Sequence, residues 1–514
     1  MNIKQFMTKH KIGLILFGLF LLAFGFRVWF VWDNHVLFFW DQARDAFVSR
    51  EILEEGDLKI LGPSASGTKD MIYHGVFFYY FIGPLYTLFG GNPLAVSVAV
   101  ALVNSVGVIV FFALGKFVFS SIRVGVIAAL IYSVSAYSVL FGVWLSNPTF
   151  APLLIALMYL AAWKGFFQFS FRWIPLCALA LGLSIQSAVF TVYLGVVPLI
   201  GTLWVLWAKR ATRDFWVWLI SGIMLGTVSI SSMIAGQYLL YRSGIFVPSD
   251  LPGSSKAIGI ADFVQSTALS YGRVFQFSVM PAYFWVSVAS GIITIIYVLF
   301  SQKFSQRFFI LLYLSAPIVL LLIFFRRDTH TLVGISGLIF ILLAYSLSAV
   351  SRVRGGVLLT VVILLIYSLA QIIFLQKQRN DHSHYFVIQQ GASLNDQIAA
   401  LDFIYEEARG RRFSISSITN PLGMNATWAY LFAWYSSSRD LPLPYWYGPT
   451  QAGIFGDGVL KEVASAEKLH FTIIEPLEGI PDHLVKKLVK DELVLLGEVD
   501  KEMSFGRLQI QVRE

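Results

Sequence analysis

The chain has little charge and almost no cysteine. Of its 514 residues, 13% are Asp, Glu, Lys or Arg, whereas 57% are hydrophobic and 16% are aromatic. Soluble globular proteins are about 25% charged and 45–50% apolar. This composition excludes a cytosolic enzyme, a disordered scaffold and a small secreted domain stapled by disulfides. The single cysteine, Cys177, cannot form an intrachain bridge. We therefore expect a polytopic membrane protein.

Apolar runs long enough to cross a membrane recur along most of the chain. A transmembrane helix needs about 20 mostly apolar residues, and on this basis we predict about eleven spans. They lie near residues 12–32, 93–115, 124–143, 148–163, 173–190, 191–208, 215–236, 282–300, 308–325, 331–349 and 355–376. The first run is flanked by lysines like a signal peptide, but its length and its internal Arg27 favour a retained span.

Basic residues in the short linkers predict the orientation of the chain. With the N-terminus in the cytoplasm, these linkers all face the cytoplasm, as the positive-inside rule requires. Their basic residues are Lys116, Arg123, Lys164, Arg172, Lys209, Arg210, Arg213, Lys303, Arg307, Arg352 and Arg354. The net charge of +8 then reflects topology rather than a nucleic-acid partner. Segment 33–92, linker 237–281 and the tail face outward from the cell (inner or plasma) membrane.

The composition changes near residue 377 and divides the chain into two predicted domains. Residues 1–376 form the helical membrane core, and residues 377–514 form a small extracytoplasmic α/β domain. In this tail the hydrophobic periodicity predicts helices at 394–408, 427–436 and 481–490 and strands at 412–418, 470–474, 492–499 and 506–512.

The first outer loop holds the most informative stretch of the sequence. Asp41 follows an aromatic cluster directly after the first span, and a helical pattern runs from Ala43 to a stop at Gly56. Asp41 and Asp45 would share one side of a continuous helix, with Arg44 beside them. A partly desolvated carboxylate oriented by an arginine suits a general base acting on a hydroxyl. Alternatively, Asp41 caps the helix and the Asp–Arg pair is an ordinary surface ion pair.

Other basic and aromatic residues lie near the same predicted boundary. Run 73–86 resembles a second interfacial helix with an aromatic belt, and Lys69 and His74 would lie close to Asp41. A lone histidine is more often structural than a phosphate ligand. Arg326 and Arg327 face outward against the positive-inside trend, which favours a functional role, although snorkelling to headgroups is the alternative.

Two outward-facing residues are weaker candidates for contacts with sugar or acceptor. Asn147 could bind sugar hydroxyls, but Asn-Pro is also a common turn signal. Tyr241 could line an acceptor groove, although most residues of its linker are expected to be solvated. The carboxylates of Asp41 and Asp45 could hold a divalent cation only with further oxygen ligands. We therefore predict no certain cofactor and no metal site.

The order of these elements resembles the GT-C superfamily of membrane glycosyltransferases. The matching residues are the aromatic-Asp41 start, Arg44, the run Ser49-Arg-Glu-Ile-Leu-x-x-Gly-Asp57, and the run Tyr73-His-Gly-x-x-x-Tyr79-Tyr80 leading to Pro84. Within the superfamily, the chain is most similar to bacterial relatives of the protein O-mannosyltransferases and of the aminoarabinose transferase that modifies lipid A.

The resemblance implies an enzyme that takes a sugar from a polyprenyl-phosphate carrier and transfers it, usually with inversion, to an acceptor hydroxyl outside the membrane. The acceptor is a lipid, a glycan or a protein. By position, Asp41 resembles the aspartate that activates the acceptor. Gln42 stands where many relatives have a second acidic residue, so Asp45 is the candidate for that role. The implied donor-phosphate residues are His74, Lys69, Arg326, Arg327 and His330, and the implied sugar or acceptor residues are Tyr73, Tyr79, Asn147 and Tyr241.

The main alternative is a transporter or flippase of a lipid-linked sugar or polar lipid. Such proteins place ionisable residues near the bilayer midplane and often contain inverted repeats. In this sequence the charges gather at the predicted membrane boundaries, and no internal repeat is apparent. The enzyme is therefore the preferred interpretation.

Overall fold

Helices dominate the chain up to Asn380, and a mixed sheet follows. The structure is a computed structural model that describes residues 3–65, 72–245, 259–324, 332–386 and 389–514. The helices of the first part are α1 (Ile3–Val31), α2 (Trp40–Glu54), α3 (Phe77–Leu88), α4 (Pro93–Ser105), α5 (Gly107–Phe119), α6 (Ile122–Val134), α7 (Ala136–Val143), α8 (Ala151–Ala162), α9 (Ile174–Ser187), α10 (Val196–Trp207), α11 (Arg213–Ser229), α12 (Ser231–Arg242), α13 (Ile260–Val279), α14 (Phe284–Ser301), α15 (Phe304–Phe324), α16 (Ile335–Val350) and α17 (Gly356–Asn380).

The apolar helices correspond to the predicted membrane spans. Among the described residues, six helical segments are long and apolar enough to cross a membrane, or up to eight if the bent pairs α6–α7 and α11–α12 each form one span. Shorter apolar helices lie at Phe171–Ser187, Phe304–Val319 and Ile335–Val350. Every predicted span therefore has a helical counterpart, and the predicted class of polytopic α-helical membrane protein is confirmed.

Helices α5 and α6 show how small residues allow close packing in the core. A Cβ atom on Gly125 would lie 2.6 Å from the carbonyl oxygen of Phe112, so glycine is required for this approach. Helix interfaces in membranes are typically built on such small residues, because lipid tails provide no hydrophobic driving force between helices. Beside this contact, Phe111 stacks on Tyr132 with 4.5 Å between ring centroids. The core therefore owes its packing to both small and aromatic residues.

The tail folds as an α/β domain. Its helices are α18 (Leu394–Ala408), α19 (Ala426–Ser437) and α20 (Asp482–Leu496), and its strands are β1 (Phe413–Ile418), β2 (Tyr445–Trp446), β3 (Lys461–Glu462), β4 (Leu469–Ile474), β5 (Lys501–Phe505) and β6 (Leu508–Arg513). The strand order is β3-β2-β1-β4-β6-β5. Strands β1 to β4 pair in parallel, whereas β6 pairs antiparallel with both β4 and β5. The small C-terminal α/β region was predicted correctly.

One predicted strand of the tail is wrong. Residues 492–499 were expected to be extended, but α20 continues to Leu496 and the next strand begins at Lys501. The apolar residues Val489, Leu493 and Leu496 recur at helical spacing. The short apolar run 493–496, taken alone, also fits a strand, which explains the error. Gly497, with φ at 81°, follows the last helical residue and ends the helix.

The tail domain contacts the first loop directly. The Leu394 amide donates to the Val36 carbonyl at 2.8 Å, and the Gln397 amide Nε2 donates to the Phe38 carbonyl at 2.6 Å. The Tyr430 hydroxyl donates to the Gly91 carbonyl at 2.7 Å. These bonds join both ends of the loop to α18 and α19. The first loop and the tail domain therefore lie on the same side of the helical core.

Candidate active site

Helix α2 positions the central candidate residues. It begins at Trp40, earlier than the predicted Ala43. The side chain of Gln42 accepts a hydrogen bond from the Phe39 amide at 3.1 Å, which pairs one of the backbone N–H groups that a helix N-terminus leaves without a partner. The interpretation of Asp41 as an N-cap is wrong, since Phe39 occupies that position and Asp41 lies inside the first helical turn. A carboxylate in this turn is favoured by the helix dipole.

Arg44 joins the two aspartates of α2. Its Nη1 donates to Asp41 Oδ1 at 2.8 Å, while its Nη2 and Nε both donate to Asp45 Oδ1 at 2.7 and 2.9 Å. The exposed fractions of the side chains are 59% for Asp41, 13% for Arg44 and 1% for Asp45. The carboxylate of Asp41 is therefore exposed to solvent, whereas the carboxylate of Asp45 is buried behind the Arg44 guanidinium and fixes the orientation of that guanidinium.

Burial determines the charge state of this cluster. Loss of solvent raises the pKa of Asp45 to about 6, although the neighbouring Arg44 opposes the rise. Burial alone would lower the pKa of Arg44, but Asp45 and Asp41 outweigh this effect and raise the pKa, so that the guanidinium stays charged. Tyr79 on α3 is buried beside both groups, and desolvation together with the charge of Asp45 raises its phenol pKa well above the usual value. The predicted residues Asp41, Arg44, Asp45 and Tyr79 thus form one cluster.

His74 contacts a different part of the core. Its Nδ1 accepts a hydrogen bond from the Val189 amide at 3.2 Å, so in the neutral ring the proton lies on Nε2. The adjacent Gly75 donates its amide to the Gln186 carbonyl at 2.9 Å. Tyr73 pairs with Ser64 in an isolated β-bridge. The second half of the first loop is therefore anchored on residues 186–189, at the end of α9.

Four predicted phosphate-binding residues lie outside the described residues, namely Lys69, Arg326, Arg327 and His330. The described chain resumes at Leu332. The Val333 carbonyl accepts a hydrogen bond from the Tyr193 hydroxyl at 3.4 Å. Tyr193 belongs to the 3-10 segment Val189–Gly195, whose first residue contacts His74. Val333 is thus attached to the same segment as His74.

Asn147 lies in a buried polar region near the end of α7. It is 3% exposed, and neither atom of its side-chain amide has a hydrogen-bond partner among the described residues. Two further side-chain nitrogens are buried without a partner among the described residues, namely Nε1 of Trp144, three residues before Asn147, and Nδ1 of His384. The Trp144 and His384 rings lie 5.7 Å apart. Unpaired buried polar atoms are rare, which indicates a water or ligand contact here.

The imidazole of His384 is neutral in this region. Burial lowers its pKa to about 4, and its Nε2 lies 3.3 Å from the Leu140 carbonyl oxygen. With the proton on Nε2, its Nδ1 is an acceptor, whereas the Trp144 indole is a donor. Together with the amide of Asn147, the region offers both kinds of hydrogen-bonding group. Such a combination suits hydroxyl groups, which donate and accept.

Tyr241 occupies a more peripheral position. It is exposed near the end of α12. The same helix approaches the first loop at Gly236, where an added Cβ would lie 2.5 Å from the Leu61 side chain. The described residues contain no group of three or more His, Cys, Asp or Glu side chains that could hold a metal ion. The divalent cation that the sequence left open at Asp41 and Asp45 would need further oxygen ligands.

The tail domain covers α2 with aromatic residues that the sequence did not single out. The ring of Tyr430 lies 5.2 Å from the rings of both Phe38 and Phe47, and Phe455 lies 6.0 Å from Trp40. In the sequence, Tyr430 is one of several aromatic residues in an apolar helix and carries no distinguishing motif. Its role as the contact between the domains depends on tertiary structure.

Comparison with known proteins identifies the fold. ArnT from Cupriavidus metallidurans bound to undecaprenyl phosphate has a TM-score of 0.53 and 13% identity over 94% of this chain and 96% of that chain. Its apo state also has a TM-score of 0.53, with 12% identity over 98% of both chains. The chain has the GT-C fold. The family of dolichyl-phosphate-mannose-protein mannosyltransferases matches residues 73–234.

These findings confirm the predicted resemblance to the GT-C superfamily of membrane glycosyltransferases. The family match includes α3 and the second half of the first loop, where the sequence motif was noted. None of the curated proteins matches the chain in sequence. The identity to ArnT is low, so the GT-C assignment concerns the fold and gives no role to individual residues.

Proposed function

We propose that this chain is a glycosyltransferase that moves a sugar from a polyprenyl-phosphate-linked donor to an acceptor hydroxyl, with Asp41 as the general base. The observation that carries the proposal is the exposed carboxylate of Asp41, oriented by Arg44 at the contact between the first loop and the tail domain. The acceptor is a lipid, a glycan or a protein. A carboxylate in this position can take a proton, and a positioned base contributes about 10²–10⁴ in rate.

The proposed step uses one carboxylate. Asp41 accepts the proton of the acceptor hydroxyl as the acceptor oxygen bonds to the anomeric carbon of the sugar. The bond between that carbon and the phosphate oxygen breaks, and the lipid phosphate leaves with the electron pair. Because the leaving phosphate is a weak base, no strong general acid is needed. Arg44 orients Asp41 through their hydrogen bond, while Asp45 and Tyr79 act as positioning residues for Arg44.

The donor phosphate is assigned to the basic residues that the sequence predicts for it. Arginine binds phosphate oxygens in a bidentate manner and stays charged, which suits Arg326 and Arg327. His74, with its proton on Nε2, can donate to the same phosphate, and Lys69 and His330 complete the proposed set. The fold shared with ArnT, which was solved bound to undecaprenyl phosphate, supports a polyprenyl-phosphate ligand.

The sugar hydroxyls are assigned to the buried polar region at the end of α7. Asn147, Trp144 and His384 supply donors and acceptors that have no partner among the described residues. Tyr73 is proposed to contact the sugar from the second half of the first loop, and Tyr241 is proposed to contact the acceptor from α12. A ligand hydroxyl that pairs these atoms would remove the cost of leaving them unsatisfied, which is about 1–3 kcal/mol for each group.

We further propose that the tail domain faces the outside of the cell membrane and that the N-terminus is cytoplasmic. The hydrogen bonds between α18 and the first loop support one common side for both. Alkaline phosphatase fused after residue 514 should be active, and green fluorescent protein at the same position should be dark outside the cytoplasm. A fluorescent C-terminal fusion with inactive phosphatase would overturn the orientation.

The test of the function is transfer by the purified protein in liposomes. A panel of radiolabelled polyprenyl-phosphate sugars is added with a membrane lipid extract as the source of acceptor, and labelled products are separated from the donor. We expect at least one donor to lose its sugar to an acceptor or, more slowly, to water. Movement of the intact donor between leaflets, without any transfer or hydrolysis, would instead establish the transporter alternative.

A further inference from the structure

A separate cavity with a mixed polar and apolar lining lies at the opposite end of the helical core from the candidate active site. It has a volume of about 370 Å³ and is lined by Lys116, Phe117, Ser120, Ile122 and Gln168. The continuous helical segment Pro93–Phe119 connects the two regions. At its N-terminal end, Pro93 follows Gly91, whose carbonyl accepts a hydrogen bond from Tyr430 of the tail domain. At its C-terminal end, the last turn contains Lys116. At 1.5 Å per residue, the cavity lies about 40 Å from the tail domain.

Two linkers that are distant in sequence bring their positive charges together around Phe117, which lines this cavity. The ammonium groups of Lys116 and Lys164 lie 5.2 and 4.1 Å from the centroid of the Phe117 ring. Arg172 also acts electrostatically on Lys164. None of the ion pairs formed within the described residues involves these three side chains. The cavity therefore has a positive charge without an internal counter-ion in this part of the chain.

The second linker contributes Gln168 to the wall of this cavity. Residues Trp163–Phe167 form a π-helical turn, a rare conformation that is frequent at functional sites. The turn is tied to the end of α5, because Trp163 Nε1 donates to the Phe117 carbonyl at 2.9 Å. Gln168 donates to the same carbonyl at 3.4 Å. The relative position of the two lysines is thus fixed by bonds between α5 and the π-helical turn.

The lining combines charged and apolar groups. Lys116, Ser120 and Gln168 offer hydrogen-bond donors, whereas Phe117 and the partly exposed Ile122 offer an apolar wall beside them. A free inorganic anion would use only the polar part. An amphipathic anion, with its charge next to hydrocarbon, uses both parts. Ligand pockets commonly have volumes of about 300–1,000 Å³, which admits a phospholipid headgroup.

We propose that this cavity binds the phosphodiester headgroup of an anionic phospholipid from the leaflet opposite the tail domain. The phosphate oxygens accept hydrogen bonds from Lys116 and Lys164, and the first acyl carbons lie along Ile122. The site is separate from the sugar-transfer site and does not depend on the proposed reaction. Each lysine near an anionic membrane surface contributes about 1 kcal/mol, which corresponds to about fivefold in affinity.

Native mass spectrometry of the detergent-solubilised protein tests the proposal. Phosphatidylglycerol and phosphatidylcholine with identical acyl chains are titrated separately, and the bound fraction is measured for the wild type, for Lys116→Gln with Lys164→Gln, and for Arg352→Gln with Arg354→Gln. The last pair is the matched control, because these exposed arginines precede α17 at the same end of the core. Size-exclusion chromatography and a thermal melt confirm that each variant is folded.

We expect the wild type and the arginine control to prefer phosphatidylglycerol, and the double lysine variant to bind it about 30-fold more weakly. A Lys116→Arg variant, which keeps the charge, should retain the preference. Equal weakening in the lysine and arginine variants would show a diffuse surface effect and overturn the site. Displacement of phosphatidylglycerol by millimolar inorganic phosphate, with no preference over phosphatidylcholine, would show a free-phosphate site and overturn the lipid assignment.

Discussion

The buried ion pair of α2 gives a sharp prediction for stability. Replacing Arg44 by Gln removes both hydrogen bonds that its Nη2 and Nε make to Asp45 and leaves this carboxylate 1% exposed without its cationic partner. The expected cost is about 3–5 kcal/mol at pH 8, the range for breaking one side of a buried pair. The exposed bond to Asp41 adds little, because pairs near the surface contribute about 0–1 kcal/mol.

The loss should depend on pH in a characteristic way. Without Arg44, Asp45 is neutralised more readily by a proton, so the cost of the Arg44→Gln change should shrink as the pH falls below 8. The decrease approaches about 1.4 kcal/mol per pH unit at most. Adding Asp45→Asn to Arg44→Gln should recover most of the loss, since the double variant buries no unpaired charge.

The measurement is the free energy of unfolding in mixed micelles titrated with sodium dodecyl sulfate, followed by circular dichroism. Arg50→Gln is the matched control on the same helix, because Arg50 pairs with Glu54 at 2.8 Å but both side chains are at least one-third exposed. We expect the control to lose less than about 1 kcal/mol. If Arg44→Gln loses no more than Arg50→Gln, the account of Asp45 as a buried, Arg44-dependent carboxylate is wrong.

Three further predictions concern single substitutions. The folded-state pKa of Asp45, about 6, exceeds the ordinary value, so the folded state binds more protons than the unfolded state between pH 4 and 6. The stability of the wild type relative to Asp45→Asn should therefore fall as the pH rises from 4 to 6. A stability difference that does not change with pH would contradict this prediction. Gly75→Ala would place a Cβ 1.7 Å from Gln186 Oε1 and 2.9 Å from the Cα of Gln186. This clash should destabilise the folded state by about 1–3 kcal/mol and lower the melting temperature. Gly25→Ala is the control, because no atom lies within 4 Å of the Cβ that it would add. Tyr430→Phe removes the hydrogen bond to Gly91 and should lower the free energy of unfolding by about 1 kcal/mol. A protease should then separate the tail domain from the helical core faster than in the wild type. An unchanged rate of proteolysis would argue against this hydrogen bond as a link between the tail domain and the first loop.

The features that were predictable from the sequence are local ones. The spacing of Asp41, Arg44 and Asp45 fixed their proximity, since residues three and four apart are neighbours on a helix. Helix α18 has the bounds that its apolar periodicity predicted. The error at residues 492–499 is also local, because a run of four apolar residues fits a strand as well as the end of a helix.

The features that were not predictable depend on contacts between distant parts of the chain. The Tyr430 hydroxyl reaches Gly91, and Gln186 meets the backbone of Gly75 and Phe77, although more than 100 residues separate each pair. The buried position of Asp45 follows from the packing of α3 on α2 and could not be inferred from its spacing alone. Likewise, no sequence pattern connected His384 with Trp144, which a turn of the linker after α17 brings together.

The most direct test of the central claim compares transfer by Asp41→Asn and Asp57→Asn. Both aspartates lie in the first loop, and their side chains are similarly exposed, at 59% and 57%. With the donor that the wild type uses in liposomes, Asp41→Asn should lose about 10²–10⁴ in initial rate, whereas Asp57→Asn should keep nearly all of it at equal folded amounts. Equal rates for Asp41→Asn and the wild type would contradict the assignment of this carboxylate as the base.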